Sequence, residues 1–367
     1  MKILKVTLHL IEQPLLSPFT TSLATVNRRE SILVEISGDK GHIGWGEVVA
    51  FSSPWYTEET IKTCWHIMED FLIPLVLNQQ ITHPTELTTL FSSIKRHNMA
   101  KAGIETACWD LFAKEEGIPL SKAIGGSRVK IEAGVVVSLT TIDQMLFKIE
   151  EHLNQGYKRI KIKISPGKEY QIVKRIFDEF PNIPLMVDAN SAYQLKDIHH
   201  LQALDEFGLM MIEQPLGYDD IIDHAILQKE LQTPICLDES IVTYEDARKA
   251  IELGSCRIMN IKVGRVGGLT EAIKIHNLCL QHNIPVWVGG MLETGISRAH
   301  NIHLASLSNF TIPGDISASS RYWKQDIIIP EVQVEKGNIS VPETRGIGFE
   351  VNVERIQAIT KEQRIYT

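Results

Sequence analysis

The chain has 367 residues, enough for two domains or for one barrel with an appendage. Its composition, with 44% hydrophobic and 22% charged residues, is ordinary for a soluble globular protein and argues against disorder. The formal net charge of -8 argues against nucleic acid or an anionic membrane as the main partner, because both would favour a basic surface. A small ligand is therefore expected.

The first ten residues do not resemble a signal peptide, because Lys2, Lys5, Thr7 and His9 interrupt the apolar residues there. No uncharged apolar run approaches the length of about 18 residues that crosses a bilayer. These observations predict a cytoplasmic protein. The five cysteines are odd in number, widely spaced and never arranged as CxxC, which predicts reduced thiols in the core rather than disulfides or a zinc site.

The N-terminal part predicts an α+β unit. Lys5 to Leu10 alternates polar and apolar residues and Ser31 to Ile36 is a second apolar run, so both are predicted strands. A helix follows and ends near Gly117 and Pro119. Its apolar residues are spaced i, i+3, i+4, i+7 and i+8, and they are Ile104, Ala107, Cys108, Leu111 and Phe112.

Short β-rich runs alternate with amphipathic helical stretches from about residue 130, after a predicted hinge at Gly125-Gly126. This alternation predicts repeated βα units and a parallel sheet. The predicted strands are Ile160 to Ile164, Pro184 to Val187, Leu209 to Ile212, Pro234 to Leu237, Arg257 to Ile261 and Pro285 to Val288.

Charged residues stand at the ends of five of these strands, at successive spacings of 25, 25, 25 and 24 residues. Units of this length suit a TIM-type barrel, in which about 250 residues divide among eight βα units. Residues at the carboxyl ends of parallel barrel strands point into one mouth, where such barrels hold their active sites. The five residues are Lys163, Asp188, Glu213, Asp238 and Lys262.

Three carboxylates that converge in a partly dehydrated mouth repel one another, so a cation is expected among them. Oxygen ligands from Asp188, Glu213 and Asp238 suit Mg²⁺, and Mn²⁺ would fit similarly. The absence of His or Cys at these positions disfavours zinc. The alternative is that these acids only pair with Lys or Arg on neighbouring loops.

The two terminal lysines would face one substrate carbon from opposite flanks of the ion. The ion and a neighbouring ammonium such as that of Lys161 would lower the pKa of Lys163, so that Lys163 could act as a base. An ion that holds a substrate carboxylate would stabilise the enediolate left when the α-proton departs. Lys161-Ile162-Lys163 alone is more typical of charges on an edge strand, but its position at the start of the charged series favours the catalytic interpretation.

These residues closely resemble the enolase superfamily, in its muconate-lactonizing-enzyme-like branch, over essentially the whole chain. The resemblance is closest to the o-succinylbenzoate synthases of the menaquinone pathway that overlap with N-acylamino acid racemases. The first matching strings are Lys161-Ile162-Lys163, Val187-Asp188-Ala189-Asn190, Ile212-Glu213-Gln214-Pro215, Leu237-Asp238-Glu239-Ser240 and Asn260-Ile261-Lys262. Further similar strings are Gly44-Trp45-Gly46-Glu47, Phe51-Ser52-Ser53-Pro54-Trp55-Tyr56, Arg265-Val266-Gly267-Gly268-Leu269 and Gly289-Gly290-Met291-Leu292-Glu293-Thr294-Gly295.

The resemblance implies an α/β fold, a modified TIM-type (β/α) barrel with an α+β capping domain. The cap would comprise residues 1–125, completed by a tail of about residues 325–367, and the barrel residues 126–324 would carry the active site. It also implies that Asp188, Glu213 and Asp238 bind Mg²⁺, that Lys163 and Lys262 are the acid/base pair, and that the protein forms a homo-oligomer.

The implied reaction is the syn-dehydration of 2-succinyl-6-hydroxy-2,4-cyclohexadiene-1-carboxylate to 2-succinylbenzoate. Lys163 would remove the α-proton and then protonate the departing hydroxyl, while Lys262 stabilises the intermediate as a cation. The main alternative is racemisation of N-acylamino acids, in which both lysines exchange protons, one on each face. A barrel that binds a metal and a carboxylate without turnover is a more distant alternative.

Further residues are implied to contact the substrate or to support those that do. The cap loops 17–22 and 51–56 would cover the pocket, or they hold ordinary turn and packing residues. For Trp55 and for Phe19 taken alone, both interpretations stay open. Arg265 and Glu293 follow strand ends, where they line the pocket or form loop salt bridges. The full set is Lys161, Asn190, Glu239, Arg265, Glu293, Phe19, Thr21, Ser22, Phe51, Tyr56 and Ser138.

Two differences from related branches argue against two types of reaction. Dipeptide epimerases of this branch carry Asp-x-Asp at the eighth strand end, where this chain has Asp315-Ile316-Ser317, so dipeptide epimerisation is not expected. Gly289-Gly290-Met291 contains no histidine at the seventh strand end, which argues against the branches that use a histidine base.

Overall fold

Two larger sheets organise the chain in the computed structural model, which describes residues 1–20, 25–138 and 140–367. The strands are β1 (Ile3–Thr20), β2 (Thr25–Gly38), β3 (Ile43–Val48), β4 (Lys130–Glu132), β5 (Gly134–Val137), β6 (Arg159–Lys163), β7 (Leu185–Asp188), β8 (Ile212–Glu213), β9 (Ile235–Leu237), β10 (Ile258–Ile261), β11 (Val286–Val288), β12 (Ile328–Ile329), β13 (Asn338–Ser340), β14 (Glu350–Val351) and β15 (Thr360–Tyr366).

Helices separate most of these strands. They are α1 (Ile61–Ile67), α2 (Ile73–Val76), α3 (Leu87–Leu90), α4 (Asn98–Glu115), α5 (Leu120–Ala123), α6 (Ile142–Asn154), α7 (Glu169–Glu179), α8 (Ile198–Gln202), α9 (Ile222–Glu230), α10 (Tyr244–Leu253), α11 (Val263–Val266), α12 (Leu269–Gln281), α13 (Gly295–Leu304) and α14 (Val353–Ile359). Among the described residues, none of these helices combines the length and the apolar character that a membrane crossing requires.

The first sheet is antiparallel and has the order β15-β1-β2-β3. Its core strands contain the two predicted apolar runs, and the C-terminal β15 pairs with β1, with Val6 opposite Tyr366. The rest of the C-terminal tail lies elsewhere, because β13 pairs with β4 and β12 pairs with β14. Both chain ends therefore contribute strands to one sheet.

The predicted helix is present as α4, and most of its residues are buried. It lies close against β3 because glycines remove the side chains that would collide there. A side chain at Gly44 would place its Cβ 2.1 Å from the carbonyl oxygen of Ala107, and one at Gly46 would meet that of Gly103 at the same distance. Neither approach is compatible with any residue larger than glycine.

The second sheet is parallel and has the order β5-β6-β7-β8-β9-β10-β11. The chain around Gly314 joins its two edges: Gly134 N donates to the Gly314 carbonyl at 2.7 Å, and Asp315 N donates to the Val288 carbonyl at 2.9 Å. The sheet thus closes into a ring, which confirms the predicted modified barrel with an α+β sheet unit beside it. The predicted strand at Leu209 to Ile212 is observed as Ile212–Glu213.

Two hydrophobic clusters account for most of the core. The larger one fills the space between the barrel strands and their helices, and the smaller one lies between the antiparallel sheet and helices α1 to α4. All five cysteines are buried and free, as predicted from their spacing.

Candidate active site

The charged residues at the strand ends point into the same mouth of the barrel. Lys163 lies opposite Asp188, and Asp188 lies opposite Glu213, in the registers of neighbouring parallel strands. Glu213 lies opposite Cys236, two residues before Asp238, so Asp238 points to the same side from a position further along. Lys262 follows β10 directly and has the same parity, because Ile258 is opposite Cys236.

The two lysines stand at opposite ends of the group and each binds a different aspartate. Lys163 Nζ lies 2.6 Å from Asp188 Oδ2 and donates a short hydrogen bond to Asn190 Oδ1. Lys262 Nζ lies 2.8 Å from Asp238 Oδ2 and 2.8 Å from the Tyr56 hydroxyl. Lys163 and Lys262 are each 7% exposed, so both amines are largely shielded from water.

Lys161 occupies the centre of the carboxylates. Its Nζ lies 2.7 Å from Asp188, 2.6 Å from Glu213 and 3.3 Å from Asp315. Burial would lower the pKa of this amine, but the surrounding carboxylates, Asp188 first, raise it well above its ordinary value. Lys161 is therefore a firmly held cation.

The pKa values of the three carboxylates are shifted in different directions. Burial alone would raise the pKa of Asp188, but Lys161 and Lys163 hold it well below its usual range. Lys262 and Arg265 likewise keep the pKa of Asp238 low against the effect of burial. Glu213 differs, because burial and the negative charge of Asp188 raise its pKa to about 8 despite Lys161.

Asp188, Glu213 and Asp238 offer carboxylate oxygens, the ligand type that a hard divalent cation prefers. Glu213 Oε2 is buried and has no hydrogen-bond partner, since its contact with Lys161 is an ion pair without hydrogen-bond geometry. The pKa of Glu213 stays raised because burial, together with the negative charges of Asp188 and Asp238, outweighs the effect of Lys161 and Lys262. Within the described residues, no three His, Cys, Asp or Glu side chains come close enough together to form a metal cluster. Lys161, Lys262 and Arg265 contact the carboxylates directly. Asp188, Glu213 and Asp238 remain the side chains that could hold an ion.

A cavity opens above these residues between the antiparallel sheet unit and the barrel. Four aromatic side chains of the N-terminal part line one side, and they are Phe19, Phe51, Trp55 and Tyr56. The barrel contributes Val136, Lys161, Lys163, Asp188, Asn190, Lys262, Gly290, Met291, Leu292, Asp315 and Tyr322. The structure therefore brings both lysines and the four aromatic side chains to one cavity. A wall that combines apolar side chains with a few polar groups is the usual form of a small-molecule site.

Several predicted residues lie behind the cavity rather than in its wall. Glu239 accepts a hydrogen bond from Asn190 Nδ2 at 2.9 Å, and burial together with Asp238 raises its pKa to about 7. Arg265 forms a salt bridge with Asp238 and donates to the Ile241 carbonyl at 2.7 Å. Of the two predicted roles, the salt bridge is therefore the one that fits Arg265. Glu293 is buried below the cavity, where it accepts a hydrogen bond from Met291 N.

The remaining predicted residues are Ser138, Thr21 and Ser22. Ser138 lines a neighbouring cavity that shares Phe19, Val136 and Tyr322 with the first. Thr21 and Ser22 lie outside the described residues.

The sequence analysis missed some residues of the cavity wall. Asp315 was noted only for its difference from dipeptide epimerases, yet it lines the cavity and binds Lys161. Val136 near the end of β5 and Met291 just after β11 could have been found by the same strand-end rule. Tyr322 follows a single helical turn and has no comparable signal in the sequence.

Glu213 and Glu239 should make a contribution to the stability of the metal-free protein that falls as pH rises from about 4.5 to about 8. Glu213 and Glu239 have folded-state pKa values of about 8 and about 7, above the ordinary value of 4.5, so in this window the folded chain holds protons that the unfolded chain has released. Urea unfolding in a chelator at several pH values measures this slope. Glu213→Gln should flatten it, whereas Glu179→Gln on the exposed face of α7 should not; equal slopes in all three proteins would contradict the assignment.

Comparison with known proteins agrees with this architecture. The mandelate racemase / muconate lactonizing enzyme N-terminal domain model matches residues 5–125, and the enolase C-terminal domain-like model matches residues 144–356. The chain is 55% identical to an o-succinylbenzoate synthase from Geobacillus stearothermophilus, over 98% of this chain and 96% of the relative. It is 43% identical to an N-succinylamino acid racemase from Thermus thermophilus, over 99% of each.

Solved structures give the same result. An enolase-superfamily protein from Listeria innocua superimposes with a TM-score of 0.97 at 42% identity, covering 100% of this chain and 99% of the other. The substrate-liganded L-Ala-D/L-Glu epimerase from Bacillus subtilis superimposes with a TM-score of 0.88 at 27% identity, covering 95% and 99%. The chain therefore belongs to the enolase superfamily, in the group of mandelate racemase and muconate lactonizing enzyme.

Proposed function

We propose that this chain catalyses the o-succinylbenzoate synthase reaction, the loss of water from 2-succinyl-6-hydroxy-2,4-cyclohexadiene-1-carboxylate to give 2-succinylbenzoate. The observation that carries the proposal is that Lys163 and Lys262 line one cavity and stand on opposite flanks of three buried carboxylates. The similarity to o-succinylbenzoate synthases over nearly the full chain supports the choice of substrate.

Enzymes of this superfamily are metal-dependent, and we propose that Asp188, Glu213 and Asp238 hold Mg²⁺, with Mn²⁺ as a substitute. When bound, the metal would stabilise negative charge that develops on the substrate carboxylate. The other steps belong to side chains of the chain itself.

Lys163 is the proposed base. Its Nζ is positioned by Asp188 and Asn190 and faces the cavity, so in its neutral form the amine can accept the α-proton of a bound carboxylate. The same amine then returns that proton to the departing hydroxyl. The C–H and C–O bonds break on one face, water leaves, and the ring becomes aromatic.

Lys262 is proposed to remain an ammonium during dehydration. Burial would lower its pKa, but Asp238 and Tyr56 raise it above its ordinary value. A fixed positive charge opposite Lys163 stabilises the enediolate without any transfer of its own proton.

The racemisation of N-acylamino acids is the second candidate function. It is favoured by the fact that both lysines line the same cavity, so each could exchange a proton on its own face of a substrate carbon. Relatives named N-succinylamino acid racemase are 42% to 43% identical to this chain.

Steady-state assays of the purified protein with Mg²⁺ separate these functions. The substrates are the cyclohexadiene carboxylate and N-acetyl- or N-succinyl-amino acids. Much faster dehydration supports the synthase, and efficient racemisation with little dehydration supports the racemase. Inactivity on both would favour a barrel that binds a metal and a carboxylate without turnover.

Replacing Tyr56 with phenylalanine should reduce racemisation more than dehydration. The Tyr56 hydroxyl lies 2.8 Å from Lys262 Nζ and 3.2 Å from Arg265, so its loss frees the amine to move. A proton transfer depends on exact placement of that amine, whereas a stabilising charge tolerates a small shift, and we expect losses of about tenfold and about threefold respectively. Tyr218→Phe, at an exposed site, is the control; equal losses in the two reactions would contradict the separate roles of the lysines.

We further propose that residues 1–125, with a tail of about residues 325–367, form a cap over the barrel of residues 126–324. The pairing of β15 with β1 and the four aromatic residues in the cavity wall support this division. The protein is also proposed to be a homo-oligomer, which size-exclusion chromatography with light scattering would test.

A further inference from the structure

The motif Gly44-Trp45-Gly46-Glu47 has no part in the proposed chemistry, but its four residues have distinct positions on β3. Gly44 and Gly46 face α4, where they allow the close approach of that helix. Trp45 and Glu47 alternate with them and face the other side. Trp45 accordingly belongs to the larger core cluster with the barrel residues, which places Glu47 at the boundary between the two sheet units.

Glu47 is buried at this boundary, and its carboxylate binds the start of the barrel helix α13. Thr294 N donates to both oxygens at 3.1 Å, Thr294 Oγ1 donates at 2.7 Å, and Ser297 N donates at 3.2 Å. Both oxygens accept hydrogen bonds, so the contacts suit a carboxylate and not an amide. A residue of the antiparallel sheet thus caps a helix of the barrel.

The turn immediately before this helix forms part of the cavity wall. Gly290, Met291 and Leu292 line the cavity. Leu292 has a φ of 55°, a left-handed conformation that is strained for a residue with a side chain. Such a conformation persists only where its surroundings hold it. Glu293 holds the turn at Met291 N, and Glu47 holds it at Thr294 N.

We propose that Glu47 is a positioning residue that fixes the cavity wall formed by Met291 and Leu292, so that the antiparallel sheet unit shapes the site through the backbone of the barrel. In a Gln variant one acceptor becomes an amide donor that faces the N–H of Thr294, and the strained turn loses one of the side-chain contacts that hold it. Where the effect is measured on turnover, the proposal rests on the proposed function.

Glu105 provides a matched control. It lies on α4, is also buried, and binds the start of a different barrel helix, α12, through Leu269 N at 2.8 Å and Thr270 N at 2.9 Å. None of the described residues 266–272 lines the cavity. Glu47→Gln and Glu105→Gln therefore remove the same kind of contact, and only the first lies next to the cavity wall.

The test measures backbone hydrogen–deuterium exchange, KM, kcat, product inhibition by 2-succinylbenzoate and Tm for the wild type and both variants with Mg²⁺. Both variants should lower Tm. Glu47→Gln should speed exchange in residues 290–297 and raise KM and the inhibition constant about tenfold, while kcat changes less than about threefold, because a loosened wall weakens binding before it affects proton transfer. Glu105→Gln should leave exchange in residues 290–297 and KM unchanged.

Unchanged exchange in residues 290–297 of Glu47→Gln, or equal rises of KM in both variants, would overturn the proposal. If Glu47→Gln does not fold, Thr294→Val removes the 2.7 Å contact from the other side and should change exchange and KM in the same direction. A wild type inactive on every substrate would count against the proposed function alone, because the exchange measurement decides the role of Glu47 without turnover.

Discussion

Replacing Lys163 with alanine should abolish both dehydration of the cyclohexadiene carboxylate and racemisation of N-acylamino acids. Lys163 is the amine positioned by Asp188 and Asn190 at one flank of the cavity. No other described lysine there can replace it, since Lys161 is held by three carboxylates and Lys262 lies at the opposite flank. A fall in kcat of about 10³-fold or more is expected for a missing general base. Rates measured at saturating Mg²⁺ give the result.

The fold should survive this change. Lys174→Ala on the exposed face of α7 removes an ion pair with Asp178 far from the cavity and should keep wild-type rates. The circular dichroism spectrum of the Lys163 variant should match that of the wild type, and Mg²⁺ titration should still show binding. Activity near the wild-type level would remove Lys163 from the mechanism.

The charged strand ends could be predicted from the sequence because two rules apply together. Parallel barrel strands recur at a nearly constant spacing, and their carboxyl ends share one mouth. The spacing of Lys163, Asp188 and Glu213 therefore predicted a register that the structure shows directly. The same spacing predicted a lysine near Asp188 and another near Asp238. It did not predict which lysine binds which acid.

Residues that reach the site from a distance could not be predicted in this way. Asp315 follows no regular strand, since the chain around Gly314 closes the barrel by isolated hydrogen bonds. Tyr56 meets Lys262 across 206 positions of sequence, and only the family resemblance suggested it. Periodicity describes single elements, whereas these contacts depend on how the two sheet units pack together.

Helix α4 shows that periodicity is an incomplete guide even within a single helix. Its apolar residues follow the helical spacing that predicted it, yet polar residues such as Glu105 and Asp110 are buried as well. Glu105 binds the start of α12, and Asp110 accepts from Trp45 N and Ile347 N. The helix therefore has no solvent face along most of its length, because it lies between β3 and the barrel helices, and a pattern within α4 alone could not reveal its neighbours.

Replacing Asp238 with asparagine should weaken Mg²⁺ binding by about 100-fold or more. The change removes one of the three proposed ligand charges at nearly constant size, and even residues that only support metal ligands cost about 10- to 100-fold when lost. Lys262 and Arg265 would also lose their shared carboxylate, so the metal-free variant should have a lower Tm than the wild type. Isothermal titration calorimetry with Mg²⁺, and activity as a function of Mg²⁺ concentration, measure the effect.

Glu239→Gln is the matched control for this prediction. Glu239 is a buried carboxylate next to Asp238 in sequence, but it binds Asn190 and is not a proposed ligand. Loss of its charge should weaken Mg²⁺ binding only severalfold, because a neighbouring charge acts through the field while a ligand acts through a bond. An unchanged Mg²⁺ requirement in Asp238→Asn, or an equal loss in both variants, would mean that the carboxylates of this mouth act as a general negative field and that Asp238 is not a ligand.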